Sequence, residues 1–244
     1  MDSGTTRILT TNCSVCKRND YLQRQKREDQ QTNRNKVNGY TLDEMLKTHV
    51  NGVHAWVEKG GIVGRGILVD YCAWADENNI KFDPLSSQSI PVSVLEDVLK
   101  RQGTEPREGD ILFVRSGWGR AYTQLSPEEA VAMAEMSSPP AIGVESSERT
   151  LRWIWENGFA AVAGDTTSFE AWPCQNRNFW LHEWFLAGWG MPIGELFDLE
   201  ELSRECRKRG RWTFFFSSVP LKVGSFSFLL FLFHFLTQLT NDSS

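Results

Sequence analysis

Four short apolar runs, separated by stretches with the period of an amphipathic helix, confine this chain to a layered α/β fold. Ile62 to Tyr71, Ile111 to Val114, Phe159 to Ala163 and Trp212 to Phe216 have the length and composition of strands. Between them, Val94, Leu95, Val98 and Leu99 recur at helical spacing and stop at Gly103, a residue suited to the left-handed position beyond a helix end. Ser126-Pro-Glu-Glu129 reads as a capping box with proline at the first helical position, opening a helix through Ala130 to Met136. Leu151, Ile154 and Trp155 mark one apolar face of the next helix, closed by Gly158. Asp198-Leu-Glu-Glu201 opens the last helix by the same capping logic, and Gly210 ends it. From Tyr40 onward the pattern is mixed α/β.

The first strand candidate is punctuated by Gly61, Gly64 and Gly66, with Arg65 among them. That spacing does not fit a dinucleotide-binding turn, so the glycines predict a turn or a close approach of backbone instead.

A chain of 244 residues can bury one sizeable core, or one domain with tails. Its net charge of −5 gives no sign of a nucleic-acid partner or an anionic membrane surface. Ten Trp and fifteen Phe are spread along the chain and are read as core filling. Five cysteines at irregular spacing argue against a disulfide framework and fit a reducing compartment, taken here as the cytoplasm. Cys13-Ser-Val-Cys16 lacks the second pair that a structural zinc site needs.

Chemistry concentrates in Leu181-His-Glu-Trp-Phe-Leu-Ala-Gly-Trp-Gly-Met-Pro-Ile-Gly-Glu-Leu-Phe-Asp198. It offers an imidazole at His182 and a carboxylate at Glu195, with a short apolar helix and a Gly-Pro turn between them. A turn that returns His and Glu to one place can supply two metal ligands. A structural His with a helix-end Glu is the competing reading. Asp165 ends a buried strand, a frequent place for site residues. Alternatively it caps the loop through Thr166 to Ser168. Glu145 and Glu170 are read as solvated.

The run Leu-His-x-x-x-Leu-Ala-Gly-Trp-Gly-Met-Pro-Ile-Gly-Glu-Leu resembles the closing motif of the cyclase family, metal-dependent hydrolases that include the bacterial-type kynurenine formamidases. Three more segments resemble the family in the same order: Gly60-Gly-Ile-Val-Gly-Arg-Gly-Ile-Leu-Val-Asp-Tyr71, Gly109-Asp-Ile-Leu-Phe-Val-Arg-Ser-Gly-Trp-Gly119 and Gly158-Phe-Ala-Ala-Val-Ala-Gly-Asp-Thr-Thr-Ser-Phe-Glu-Ala-Trp-Pro173. The resemblance spans roughly residues 39–223 and is closest to the fungal members.

It implies a swivelling β/β/α domain with a mixed sheet, incomplete in this chain. It also implies a divalent metal, zinc first and manganese as the alternative, that activates water against an amide. N-formyl-kynurenine, cleaved to kynurenine in tryptophan catabolism, is one such substrate, and other small amides or cyclic compounds are hydrolysed in the family. Carried over by motif, only His182 and Glu195 belong to the metal site; Asp165, Arg115 and Trp118, each after a strand, are candidates for lining a pocket. Members commonly pair as homodimers, and a partner could complete a site.

The ends depart from the family. Its main metal motif, His-x-Gly-Thr-His-x-Asp, is expected upstream of Gly60, yet only His49 and His54 occur there, in Thr48-His-Val-Asn-Gly-Val-His-Ala-Trp56. Their spacing is five rather than four, and Trp56 stands where Asp is expected. Residues 1–38 have the composition of a disordered or non-homologous tail, without signal-peptide or transit-peptide character. Beyond residue 223 the family's final loop is replaced by Gly224-Ser-Phe-Ser-Phe-Leu-Leu-Phe-Leu-Phe-His-Phe-Leu236, shorter than the roughly 20 apolar residues a membrane span needs. A gene model that runs into non-coding sequence at both ends accounts for both departures. The expectation is therefore an impaired hydrolase, with a non-catalytic binding or oligomer-forming relative and a tail-anchored membrane protein as alternatives.

Overall fold

The computed structural model describes residues 54–219 together with 36–37, 40–41 and 44. The Cys13–Cys16 pair, His49 and the apolar run 224–236 lie outside the described residues. The chain divides into two units, Met1–Ala55 with Lys222–Leu230, and Trp56–Leu221 with Phe231–Ser244. In the first, β1 (Lys36–Val37) and β2 (Tyr40–Thr41) pair antiparallel, Lys36 opposite Thr41. His54 opens the short helix α1 (His54–Glu58).

The larger unit opens with β3 (Ile62–Val69), two residues shorter than the sequence predicts. The reason is Asp70, whose carboxylate accepts from the Ala73 amide at 3.0 Å and starts α2 (Tyr71–Glu77). Next come β4 (Ser89–Ile90) and α3 (Val92–Gln102), which ends at a left-handed Gly103 as expected. Then β5 (Ile111–Val114) matches its sequence bounds. After α4 (Trp118–Tyr122), the capping box forms with both of its hydrogen bonds at the start of α5 (Pro127–Ala134), which stops two residues before Met136.

The chain continues through β6 (Gly143–Val144), α6 (Glu148–Glu156), β7 (Ala161–Gly164) and β8 (Ile193–Gly194). The last elements are α7 (Glu200–Arg209) and β9 (Thr213–Ser218). Leu199 rather than Asp198 takes the cap position of α7, although Asp198 Oδ1 still accepts from the Glu200 amide at 3.1 Å. Phe159, predicted as strand, lies just before β7 and is buried.

The mixed α/β fold is therefore present. Its main sheet has five strands in the order β8-β7-β5-β3-β9, with β9 antiparallel and the others parallel. A second sheet pairs β4 with β6. On one face of the main sheet, Leu68, Phe113 and Ala163 pack with Phe197, Phe214 and Phe216 and with Leu202 and Cys206 of α7. The Phe113 ring meets those of Phe197, Phe214 and Phe216 at 5.0–5.5 Å between centroids. This packing explains a glycine: Gly66 sits opposite Phe214, and a Cβ there would overlap the ring. The approach at Gly66 is by a side chain rather than by backbone; the expected backbone approach occurs at Gly61, where a Cβ would meet the Ser218 carbonyl. Ile67, Val69, Leu112, Val114 and Val162 fill the opposite face and are buried, so the central strands read as continuous apolar runs.

Among the described residues no helix is long and apolar enough to cross a membrane. Cys72, Cys174 and Cys206 are free; burial pushes the Cys72 and Cys206 thiols up to about 12.

Candidate functional site

Each of the four parallel strands is followed at once by a charged residue. Asp70 follows β3, Arg115 follows β5, Asp165 follows β7 and Glu195 follows β8. Register places Val69, Val114 and Gly164 level, with Gly194 opposite Ala163, so the four residues form a row along the carboxyl edge of the sheet. This is the edge where open α/β sheets bind ligands.

The Asp70–Arg115 end of the row is closed. Arg115, only 4% exposed, donates from Nη1 to Asp70 Oδ1 at 2.7 Å. Its Nε and Nη2 form a two-point contact with Glu200 at 2.8 and 2.7 Å. Ser203 donates to the second Asp70 oxygen. Burial alone lowers the Arg115 pKa, but the Glu200 and Asp70 carboxylates more than offset that and hold it charged. The guanidinium thus joins the ends of two strands to the start of α7.

Asp165 does not cap its own loop, contrary to the alternative weighed from the sequence. Oδ1 accepts from the Ser116 amide and hydroxyl, both at 2.7 Å, and Oδ2 from the Gly117 amide at 2.8 Å. Burial pushes its pKa up, opposed by these hydrogen bonds and by Arg115. The carboxylate therefore fixes the turn between β5 and α4. Trp118, the first residue of that helix, stacks on Tyr122 at 4.9 Å between ring centroids.

At the other end of the row, His182 precedes a π-helix, Glu183–Trp189, a form concentrated at functional sites. Gly190 closes that helix in the left-handed conformation, and β8 then brings Glu195 back. His182 Nε2 lies 3.0 Å from Glu195 Oε1, so the sequence-derived pair does come together. Its Nδ1 lies 2.8 Å from Glu170 Oε2, and Glu170 Oε1 accepts from the His182 amide at 3.3 Å.

Glu170 corrects the solvated reading: it is wholly buried, because both carboxylate oxygens serve His182. Its place in the segment resembling the family was the available signal. Glu145 is half-buried and accepts from the Ser147 hydroxyl. Burial pulls the His182 pKa down, but the two carboxylates outweigh it and push it up to about 9, so the free imidazole is protonated near neutrality. His182 and Glu195 side chains are 26% and 34% exposed, so this end of the row is open to solvent.

The pair fits part of a metal centre. Imidazole nitrogen and carboxylate oxygen are zinc donors, and 3.0 Å between them lets one ion reach both through bonds of about 2.0–2.2 Å. Glu170 on the remote ring nitrogen is the kind of partner that orients a ligating imidazole. Among the described residues no group of three or more His, Cys, Asp or Glu side chains is arranged to hold a metal.

The Cyclase family model matches residues 9–171. That span ends before His182. No curated protein matches the sequence. A crystal structure described as a novel cyclase is 29% identical, with a TM-score of 0.59 over 71% of this chain and 52% of that one. Isatin hydrolase A from Labrenzia aggregata, bound to benzyl benzoate, is 17% identical, with a TM-score of 0.50 over 73% of this chain and 62% of that one. The chain thus spans about half the length of the first and under two thirds of the second.

Proposed function

This chain belongs to the cyclase family, and on that premise we propose that it is a metal-dependent amide hydrolase of the arylformamidase type, impaired as written. The observation that supports this most is the Glu170–His182–Glu195 arrangement at the open end of the strand-end row. A divalent cation bound there, zinc first and manganese second, would polarise an amide carbonyl and lower the pKa of water.

The chain's own residues have separate tasks. His182 Nε2 and Glu195 Oε1 are the donors. Glu170 accepts a hydrogen bond from Nδ1–H, which fixes the ring and leaves the Nε2 lone pair beside Glu195 once the Nε2 proton has left. Asp165 holds the Ser116–Gly117 turn at the start of α4. The substrate is a small amide or cyclic compound such as N-formyl-kynurenine, handled by a cytoplasmic, fungal-type protein that pairs as a homodimer. Catalytic zinc sites usually take three protein ligands, so the two donors named here hold it weakly.

The test equilibrates the purified full chain with zinc, then measures bound metal and N-formyl-kynurenine hydrolysis. We expect less than one zinc per chain, lost in His182→Ala, and slow turnover. Fast hydrolysis abolished by His182→Ala would overturn the impairment; zinc binding indifferent to His182→Ala would overturn the site. Sequencing the native transcript tests the boundaries at residues 38 and 224.

A further inference from the structure

A cavity of about 490 Å³ has none of the strand-end residues in its lining. The ends of α3 and α7, the loop leading to β5 and the start of β9 form its walls. Four cations line it: Arg65, Lys100, Arg107 and Arg211. The protein as a whole is negative, so this clustering does not follow from composition.

Arg65 is locked in place. Its Nε and Nη2 meet the two Asp110 oxygens at 2.7 and 2.6 Å, and Nη2 also donates to the Glu105 carbonyl at 3.1 Å. Lys100 and Arg107 make no side-chain hydrogen bond or ion pair among the described residues. Asp110 pairs with Arg65 from behind and Glu105 is the one carboxylate in the wall, so Lys100 and Arg107 outnumber it. Lys100 also compensates the negative end of α3. Arg65 lies on a strand and Arg107 in a loop, and neither has that role. Trp212 also lines the cavity, its side chain partly packed against the core cluster.

We propose that this cavity binds a small organic anion, its carboxylate or phosphate held by Arg65, Lys100 and Arg107 and its planar apolar body set against Trp212. Guanidinium groups suit either headgroup, and an indole wall favours a flat body over a bare ion. The volume is in the range of small-molecule sites.

Calorimetric titration of the full chain with phenyl phosphate, benzoate and inorganic phosphate tests this. We expect saturable binding of phenyl phosphate, or of benzoate if a carboxylate is the natural headgroup. The organic anion should bind at least about tenfold more tightly than inorganic phosphate, and the affinity should fall as salt is added. Lys100→Glu/Arg107→Glu should weaken it at least about tenfold, whereas Lys59→Glu/Lys81→Glu, the same charge change on exposed residues elsewhere, should not. No saturable binding of either organic anion overturns the proposal. So do equal effects of the two double variants, or inorganic phosphate binding as tightly as the organic anions. None of these outcomes depends on zinc or hydrolysis.

Discussion

The two ends of the strand-end row carry similar groups and put them to different use. At one end, Arg115 is sealed between Asp70 and Glu200, and its hydrogen-bonding capacity is spent on the fold itself. At the other, His182 lies between Glu170 and Glu195 with a quarter of its side chain in solvent. A buried cation that has satisfied its partners ties strands together and has nothing left for a ligand. An imidazole fixed on one nitrogen and exposed beside a carboxylate can exchange its proton for a metal. Exposure and proton affinity, rather than residue type, separate the structural end from the chemical one.

The contrast is broken most severely by Arg115→Met. It strands Asp70 without its buried counter-charge, and we expect a loss of about 3–5 kcal/mol, a melting temperature lower by roughly 6–20 °C. Thermal denaturation checks it, and a change under about 1 kcal/mol would mean the network is dispensable. Asp165→Ala comes next. It leaves the Ser116 and Gly117 amides without their acceptor, at about 1–3 kcal/mol, measurable by urea denaturation.

At the open end, Glu170→Gln should reduce zinc affinity roughly tenfold to a hundredfold in competition with a chromophoric chelator. A pH series on the metal-free protein sharpens the same point. The folded His182 pKa, about 9, exceeds its ordinary 6.5, so the stability it contributes is fully present below pH 6.5 and is lost as pH rises through about 9. The gap in melting temperature between wild type and His182→Gln should be widest below pH 6.5 and close above about 9; a gap that does not change with pH contradicts the assignment. The smallest effect belongs to Glu200→Gln, whose side chain is 41% exposed, at under about 1 kcal/mol by the same denaturation.

Much of the fold is legible in the sequence. Gly103 and Gly210 end their helices where left-handed residues were expected, and Ser126 caps α5 through the box its neighbours spell out. The proximity of His182 and Glu195 is legible because only a short helix and a Gly-Pro turn separate them. The solvated reading of Glu170 and the loop-capping alternative for Asp165 fail because packing supplies their partners: Asp165 meets Ser116 from 49 residues away, through the pairing of β5 with β7.

Local chemistry therefore determined which segments become strands and helices and where they stop, because capping, glycine conformation and apolar period act over a few residues. Tertiary structure alone decided that Arg115 is sealed, that Glu170 is buried against His182, and that Asp165 holds another strand's turn. Those outcomes depend on the order in which strands lie side by side. The parallel neighbours in this sheet are far apart in sequence, and only the packed core fixes their order and level.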